Sequence, residues 1–129
     1  AGRNRGTTDR VCLVQADQTV RTYLDGIVAH EWDAVASCLS DDVVRVGPFG
    51  DTYSPKGPYL EFLSALMPTL QGYSMVVSRV VGNGKFAVCE LSETVEMDGK
   101  PIVTPESLVF DFDDEGLIAH ISIYIQRLT

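Results

Sequence analysis

Apolar residues in the first quarter of the chain recur at helical spacing. In "TTDRVCLVQADQTVRTYLDGIVAHEW", Val11, Val14, Val20, Tyr23, Leu24, Ile27 and Val28 fall mostly on one stripe, after capping residues Thr7 to Asp9. This predicts one long helix ending near His30. "WDAVASCLSDD" repeats the pattern briefly through Trp32, Val35, Ala36 and Leu39, a second and shorter helix. "VVRVG" is a β-branched strand closed by Pro48. Pro58 then suits a helix N1 position, where its missing N–H costs nothing. Tyr59, Phe62, Leu63, Leu66 and Met67 form that helix's apolar face, and Pro68 stops it.

From Tyr73 onward the period changes to two. "YSMVVSRVV", "KFAVCELSETVEM", "IVTPESLVFDF" and "LIAHISIYIQR" read as strands separated by "GNG", "DG" and "DDEG" turns. The order predicts an α+β domain, with three N-terminal helices packed on one face of a strongly curved antiparallel sheet.

The turns also set the register. A two-residue turn at Asp98-Gly99 pairs Met97 with Lys100, Val95 with Ile102, Glu93 with Thr104 and Leu91 with Glu106. A four-residue turn over Asp113 to Gly116 pairs Phe112 with Leu117, Phe110 with Ala119, Leu108 with Ile121 and Glu106 with Ile123. Alternation then places Leu91, Val95, Ile102, Leu108, Phe110, Phe112, Ile121, Ile123 and Ile125 on the helix-covered face.

Glu93 and Glu106 fall on that same apolar face, as diagonal neighbours roughly 7–8 Å apart at their backbones. A carboxylate among aliphatic side chains must be paired, hydrated or protonated. One reading is a ligand pocket in which one carboxyl, its pKa raised, serves as a general acid or base. The other is structural, with both acids paired to Arg45 or Arg79 or placed at a wet rim. The opposite face carries Ser107, Val109, His120, Ser122, Tyr124 and Gln126, a mixture that suits a homodimer interface. The register turns His120 away from the pocket, and His30 suits a helix terminus.

Composition narrows the partners. The 129 residues suit one domain: a flexible leader over residues 1–10, then a pocket domain over residues 11–129. A hydrophobic fraction of 45% supplies ample core. The net charge of -8 argues against nucleic acid and anionic membranes. Three widely spaced cysteines without a C-x-x-C read as reduced thiols in a cytoplasmic setting. No phosphate loop, G-x-G-x-x-G, G-x-S-x-G or H-E-x-x-H is present, so neither a cofactor nor a metal is expected. Asp111, Asp113, Asp114 and Glu115 lack calcium-loop spacing and read as a turn.

The stretch "HEWDAVASCLSDDVVRVGP" resembles the helix-helix-strand opening of nuclear-transport-factor-two-like domains of the SnoaL and ketosteroid-isomerase kind. "SLVFDFDDEGLIAHISIYI" resembles their last hairpin. The resemblance covers Val11 to Leu128 and implies a cone-shaped α+β barrel enclosing a pocket for apolar small molecules. In ketosteroid isomerases a tyrosine stands late in the first helix, here Tyr23. A base aspartate stands just before the proline, here Gly47. A second acid stands on the penultimate strand, here Leu108, with Glu106 one inward step earlier. Two of the three roles are thus absent, and that mechanism does not carry over.

Limonene-epoxide-hydrolase relatives use an Asp-Arg-Asp relay, which Arg45 or Arg79 between Glu93 and Glu106 would imitate. SnoaL-type cyclases place one acid in an apolar pocket, a demand Glu106 meets. The expectation is therefore a pocket protein for an apolar small-molecule ligand. It is either a cofactor-free isomerase, cyclase or hydratase of a carbonyl or epoxide compound, or a non-catalytic ligand-binding or dimerisation domain. The candidate catalytic residues are Glu106, Glu93 and Tyr23. The candidate ligand-binding residues are Phe62, Leu91, Leu108, Ile121 and Ile123, with Trp32, Phe49 and Tyr53 as candidates for the mouth.

Overall fold

The computed structural model describes the backbone of residues 5–126 and the side chains of residues 15–126. Three helices, α1 (Arg5–Ala29), α2 (Trp32–Ser37) and α3 (Lys56–Leu66), pack against six strands. The strands are β1 (Leu39–Val46), β2 (Thr52–Tyr53), β3 (Ser74–Gly82), β4 (Phe86–Met97), β5 (Lys100–Phe112) and β6 (Ile118–Ile125). Of the leader expected over residues 1–10, residues 1–4 lie outside the described residues, and the backbone of α1 takes in the rest. The side chains of Val11, Cys12 and Val14 also lie outside them.

Of the stripe read on the first helix, Val20, Tyr23, Leu24 and Ile27 are almost fully enclosed, whereas Val28 lies off the buried face and is 42% exposed. The helix ends as expected at His30, which adopts φ 58°. Its N–H reaches the Ile27 carbonyl, and the Glu31 N–H reaches that of Gly26. This left-handed closure satisfies carbonyls that the last turn would leave orphaned. His30 then stacks on Trp32 at 5.8 Å between ring centroids, which places Trp32 here and not at the pocket mouth.

The sheet order is β2-β1-β6-β5-β4-β3. The four strands from β3 to β6 form the antiparallel meander read from the turns, whereas β1 lies parallel to β6. The sheet is therefore mixed. It is also open, because β2 and β3 end it without meeting. At Asp98-Gly99 both residues have positive φ, the conformation a two-residue hairpin requires. Met97↔Lys100 through Leu91↔Glu106 pair as expected.

The last hairpin departs from its expected register. Leu108 pairs with Ile123, Phe110 with Ile121 and Glu106 with Ile125, each two residues further along β6. The Asp113 carboxylate accepts the Glu115 and Leu117 amides, and the Asp113 N–H reaches the Leu117 carbonyl, so the loop extends through Leu117. A bulge between the Asp111 and Phe112 pairings completes the shift. A slip of two keeps every side chain on its face, so Ile121 and Ile123 still point inward. Ile118 and Ile121 join Phe110 and Val43 in the core.

Candidate functional site

Between α1, α3 and the concave face of the sheet lies a cavity of about 260 Å³. It is slightly smaller than most ligand pockets and suits a compact ring system. Glu106, Glu93 and Tyr23 all line it, as do Phe62, Leu91, Leu108 and Ile123. Ile121 does not. Opposite Phe110 instead of Leu108, it sits fully buried in the core. The two-residue shift moves it off the wall and puts Ile123 beside Leu108.

The two acids meet inside the cavity. Burial first, then a hydrogen bond with Glu93 and the charge of Glu93, push the Glu106 carboxyl up to about 9, with Arg45 opposing in part. The neutral Glu106 is the donor to Glu93, since two such neighbours cannot both be charged without strong repulsion. Tyr73 donates its hydroxyl to the other side of the pair, at Glu93 Oε2. Burial and the Glu93 charge raise the Tyr73 pKa, so the hydroxyl keeps its proton and remains a donor.

Neither arginine pairs with these acids in the way the structural reading requires. Arg79 is bound to Glu90 on the exposed side of the sheet, at 2.5 Å from Oε1. Arg45 lines the cavity, and its Nη1 donates to Asp51 Oδ2 at 2.8 Å. Its guanidinium also lies 5.7 Å from the Tyr53 ring and 5.4 Å from the Phe62 ring. Those rings stack on one another at 3.8 Å. Phe62 thus serves both as cavity wall and as support for the arginine, while Tyr53 backs it and Phe49 is 70% exposed.

Also lining the cavity, the hydroxyls of Tyr23 and Tyr59 are hydrogen-bonded to each other, both rings buried. Burial raises both hydroxyl pKa values, and the Arg45 charge lowers both in opposition. Tyr59 was legible only as part of an apolar helix face. Its phenol matters because α3 carries it directly opposite α1.

His120 faces outward, as its register implied. Its Nδ1 stands 4.0 Å from Asp111 Oδ2 and 3.5 Å from Ser122 Oγ. Both neighbours meet the same ring nitrogen, so the three do not form a nucleophile-activating relay. Cys38 and Cys89 are buried free thiols whose pKa values burial raises, that of Cys89 to about 11, which leaves them protonated and unreactive.

Residues 20–121 match the family model of the SnoaL-like domain. A search of curated proteins returned no match. Among solved structures, a candidate SnoaL-like polyketide cyclase from Jannaschia sp. CCS1 superposes with a TM-score of 0.78 at 15% identity, covering 88% of this chain and 87% of that one. An LEH-like epoxide hydrolase from M. tuberculosis gives 0.77 at 19% identity, with coverages of 88% and 84%. A protein from Catenulispora acidiphila with a ketosteroid-isomerase-like fold, in complex with trimethylamine, gives 0.71 at 13% identity, with coverages of 82% and 83%. At these identities the solved structures speak for the fold, a nuclear-transport-factor-two-like cone. The family match itself runs from the middle of α1 to the middle of β6, and the chain belongs to the SnoaL-like domain family.

Proposed function

We propose that the cavity binds an apolar small molecule and moves a proton on it without a cofactor, as an isomerase, cyclase or hydratase of a carbonyl or epoxide compound would. One observation carries this reading: a half-buried carboxyl that faces a ligand-sized cavity and pairs with another acid, not with an arginine. Glu106 holds a proton at neutral pH and can deliver it to a substrate oxygen or carbon. As carboxylate it can take one back, so the acid is restored at the end of an isomerisation. Glu93 raises the proton affinity of Glu106, and Tyr73 orients Glu93. Tyr23, with Tyr59, offers a hydroxyl to oxygen charge that develops at the opposite wall.

Glu106→Gln keeps the size and the polarity of the neutral acid but has no transferable proton. Mass spectrometry of whatever copurifies in the cavity supplies the compound to assay. The variant is expected to fold and still bind that compound, while turnover falls by about 100-fold or more. Undiminished turnover would exclude Glu106 as the proton carrier.

The chain is further proposed to act as a homodimer, paired through the outer face of the sheet. Val76, Val103 and Tyr124, each about 60% exposed, put apolar surface there that no helix covers. Buried free thiols suit a reducing, cytoplasmic setting. Among the described residues no helix is long and apolar enough to cross a membrane.

A further inference from the structure

The charges around the cavity do not balance from within. Its charged walls are Arg45 on β1, Glu93 on β4 and Glu106 on β5. Arg45 is answered by Asp51 at 2.8 Å, a residue outside the cavity wall. Among the described residues no lysine, arginine or histidine forms an ion pair with Glu93 or Glu106. One proton shared between two neighbouring carboxyls leaves the pair with one negative charge. Tyr73 gives that charge a neutral hydrogen bond, at Glu93 Oε2. A carboxylate has about four acceptor positions, so the pair keeps acceptors for an occupant.

The sheet register brings both carboxyls within reach of one occupant. Leu91 pairs with Glu106 and Glu93 with Thr104, so the acids stand diagonally on adjacent strands of the inward face. Around them the wall is apolar, with Leu91, Val95, Leu108 and Ile123 on the strands and Phe62 and Met67 from the helical side. A neutral apolar occupant would displace water from the charge and give it nothing in exchange. An ammonium group on an apolar body neutralises it, donates charge-assisted hydrogen bonds to the acids and suits a cavity rich in aromatic rings. The net charge of -8 also draws cations toward the protein.

We propose that the cavity selects a compact organic amine, bound as its ammonium ion across Glu93 and Glu106, with its apolar body packed between the helices and the sheet. The proposal names the ligand class of the site described above and rests on the cavity being a ligand site. It does not rest on Glu106 transferring a proton to substrate. The bound ammonium takes over the role of the shared proton, and Glu106 releases that proton to solvent, because a cation beside a carboxyl favours the charged form. The other titratable groups lining the cavity are Glu93 from β4, Tyr73 from the segment before β3, Arg45 from β1, Tyr23 from α1 and Tyr59 from α3. Arg45 is the one cation among them, and Asp51 already holds it.

The test compares benzylamine with benzyl alcohol, a neutral probe of nearly the same size, by isothermal titration at neutral pH. The proteins are wild type, Glu106→Gln and the double variant Glu93→Gln/Glu106→Gln, with thermal unfolding to monitor the fold. Wild type is expected to bind benzylamine about ten-fold or more tightly than benzyl alcohol. Glu106→Gln should keep that preference, because Glu93 still carries the charge. The double variant should lose it, since two amides keep the shape and remove the charge. Saturating benzylamine should also lower the Glu106 titration midpoint of wild type, read by carboxyl-resolved NMR. That measurement decides if the double variant does not fold. The proposal is overturned by a wild type that binds benzylamine no better than benzyl alcohol, or by a Glu106 midpoint that benzylamine leaves unchanged. Loss of the preference in Glu106→Gln, or its survival in a folded double variant, also overturns it. Binding of benzyl alcohol alone would overturn it while leaving the cavity a ligand site. Unchanged turnover in Glu106→Gln would exclude Glu106 as the proton carrier and leave this proposal standing.

Discussion

Replacing Glu106 by glutamine turns the buried acid pair into a measurable dependence of stability on pH. The Glu106 carboxyl is raised from an ordinary 4.5 to about 9 by burial and then by Glu93. Between those two values the folded protein holds a proton that the unfolded chain has released. Stability therefore falls as pH rises through that window, because the unfolded state binds fewer protons than the folded one. At about 1.4 kcal/mol per unit, the whole shift would amount to about 6 kcal/mol. The group is only partly buried and shares its proton with Glu93, so solvent screening brings the expectation down to about 2–3 kcal/mol. For a domain of this size that is roughly 10 °C in Tm. Glutamine mimics the protonated acid at every pH, so its unfolding curve lacks this contribution. The two proteins should unfold together near pH 4.5, and the variant should become progressively more stable than wild type up to pH 9. Calorimetry at matched ionic strength measures the gap, and carboxyl NMR locates the midpoint. A gap that does not change with pH, or a variant destabilised throughout by a stranded arginine, would refute the reasoning.

Gly47→Ala should cost about 1–3 kcal/mol in chemical denaturation, because its Cβ overlaps the Asp51 carboxylate. Asp51→Ala in the same chain should relieve much of that cost, and additive losses would contradict the overlap. Tyr73→Phe removes the donor to Glu93 and should lose about 2 kcal/mol, measured by the same unfolding assay. The loss should largely vanish in a Glu93→Ala background, which has no acceptor for the phenol, and its persistence there would show the phenol acting elsewhere. Tyr124→Arg should weaken self-association by about ten-fold or more, since it would bury an unpaired charge at the interface. Sedimentation equilibrium reads this directly, and a wild-type protein that is monomeric at micromolar concentration removes the dimer altogether.

Local chemistry made much of the architecture legible before any coordinates. The helical stripe through Val20, Tyr23, Leu24 and Ile27 can bury itself in only one way, and Asp98-Gly99 admits one tight hairpin. From that hairpin followed the β4–β5 register, and with it the placement of Glu93 and Glu106 inside. The bulges were not legible, because one extra residue in a ladder depends on packing and not on local preference. The bulge beside Val77 and Arg79 decides Tyr73. Carried on from Gly82↔Ala87 without it, the β3 register would set Tyr73 opposite Glu96 and turn it outward, away from the Glu93 it binds. The shift in the last hairpin similarly moved Ile121 from cavity wall to core. Only the tertiary structure showed that Arg45 answers to Asp51 and not to the acid pair, and that Tyr59 meets Tyr23. Those partners come from different turns and helices, and their distances depend on how the whole cone closes. The sequence alone determined which residues face inward, through the two-residue period of its strands. Which of them touch is set by long-range packing, because a slip of two residues preserves every face while changing every neighbour.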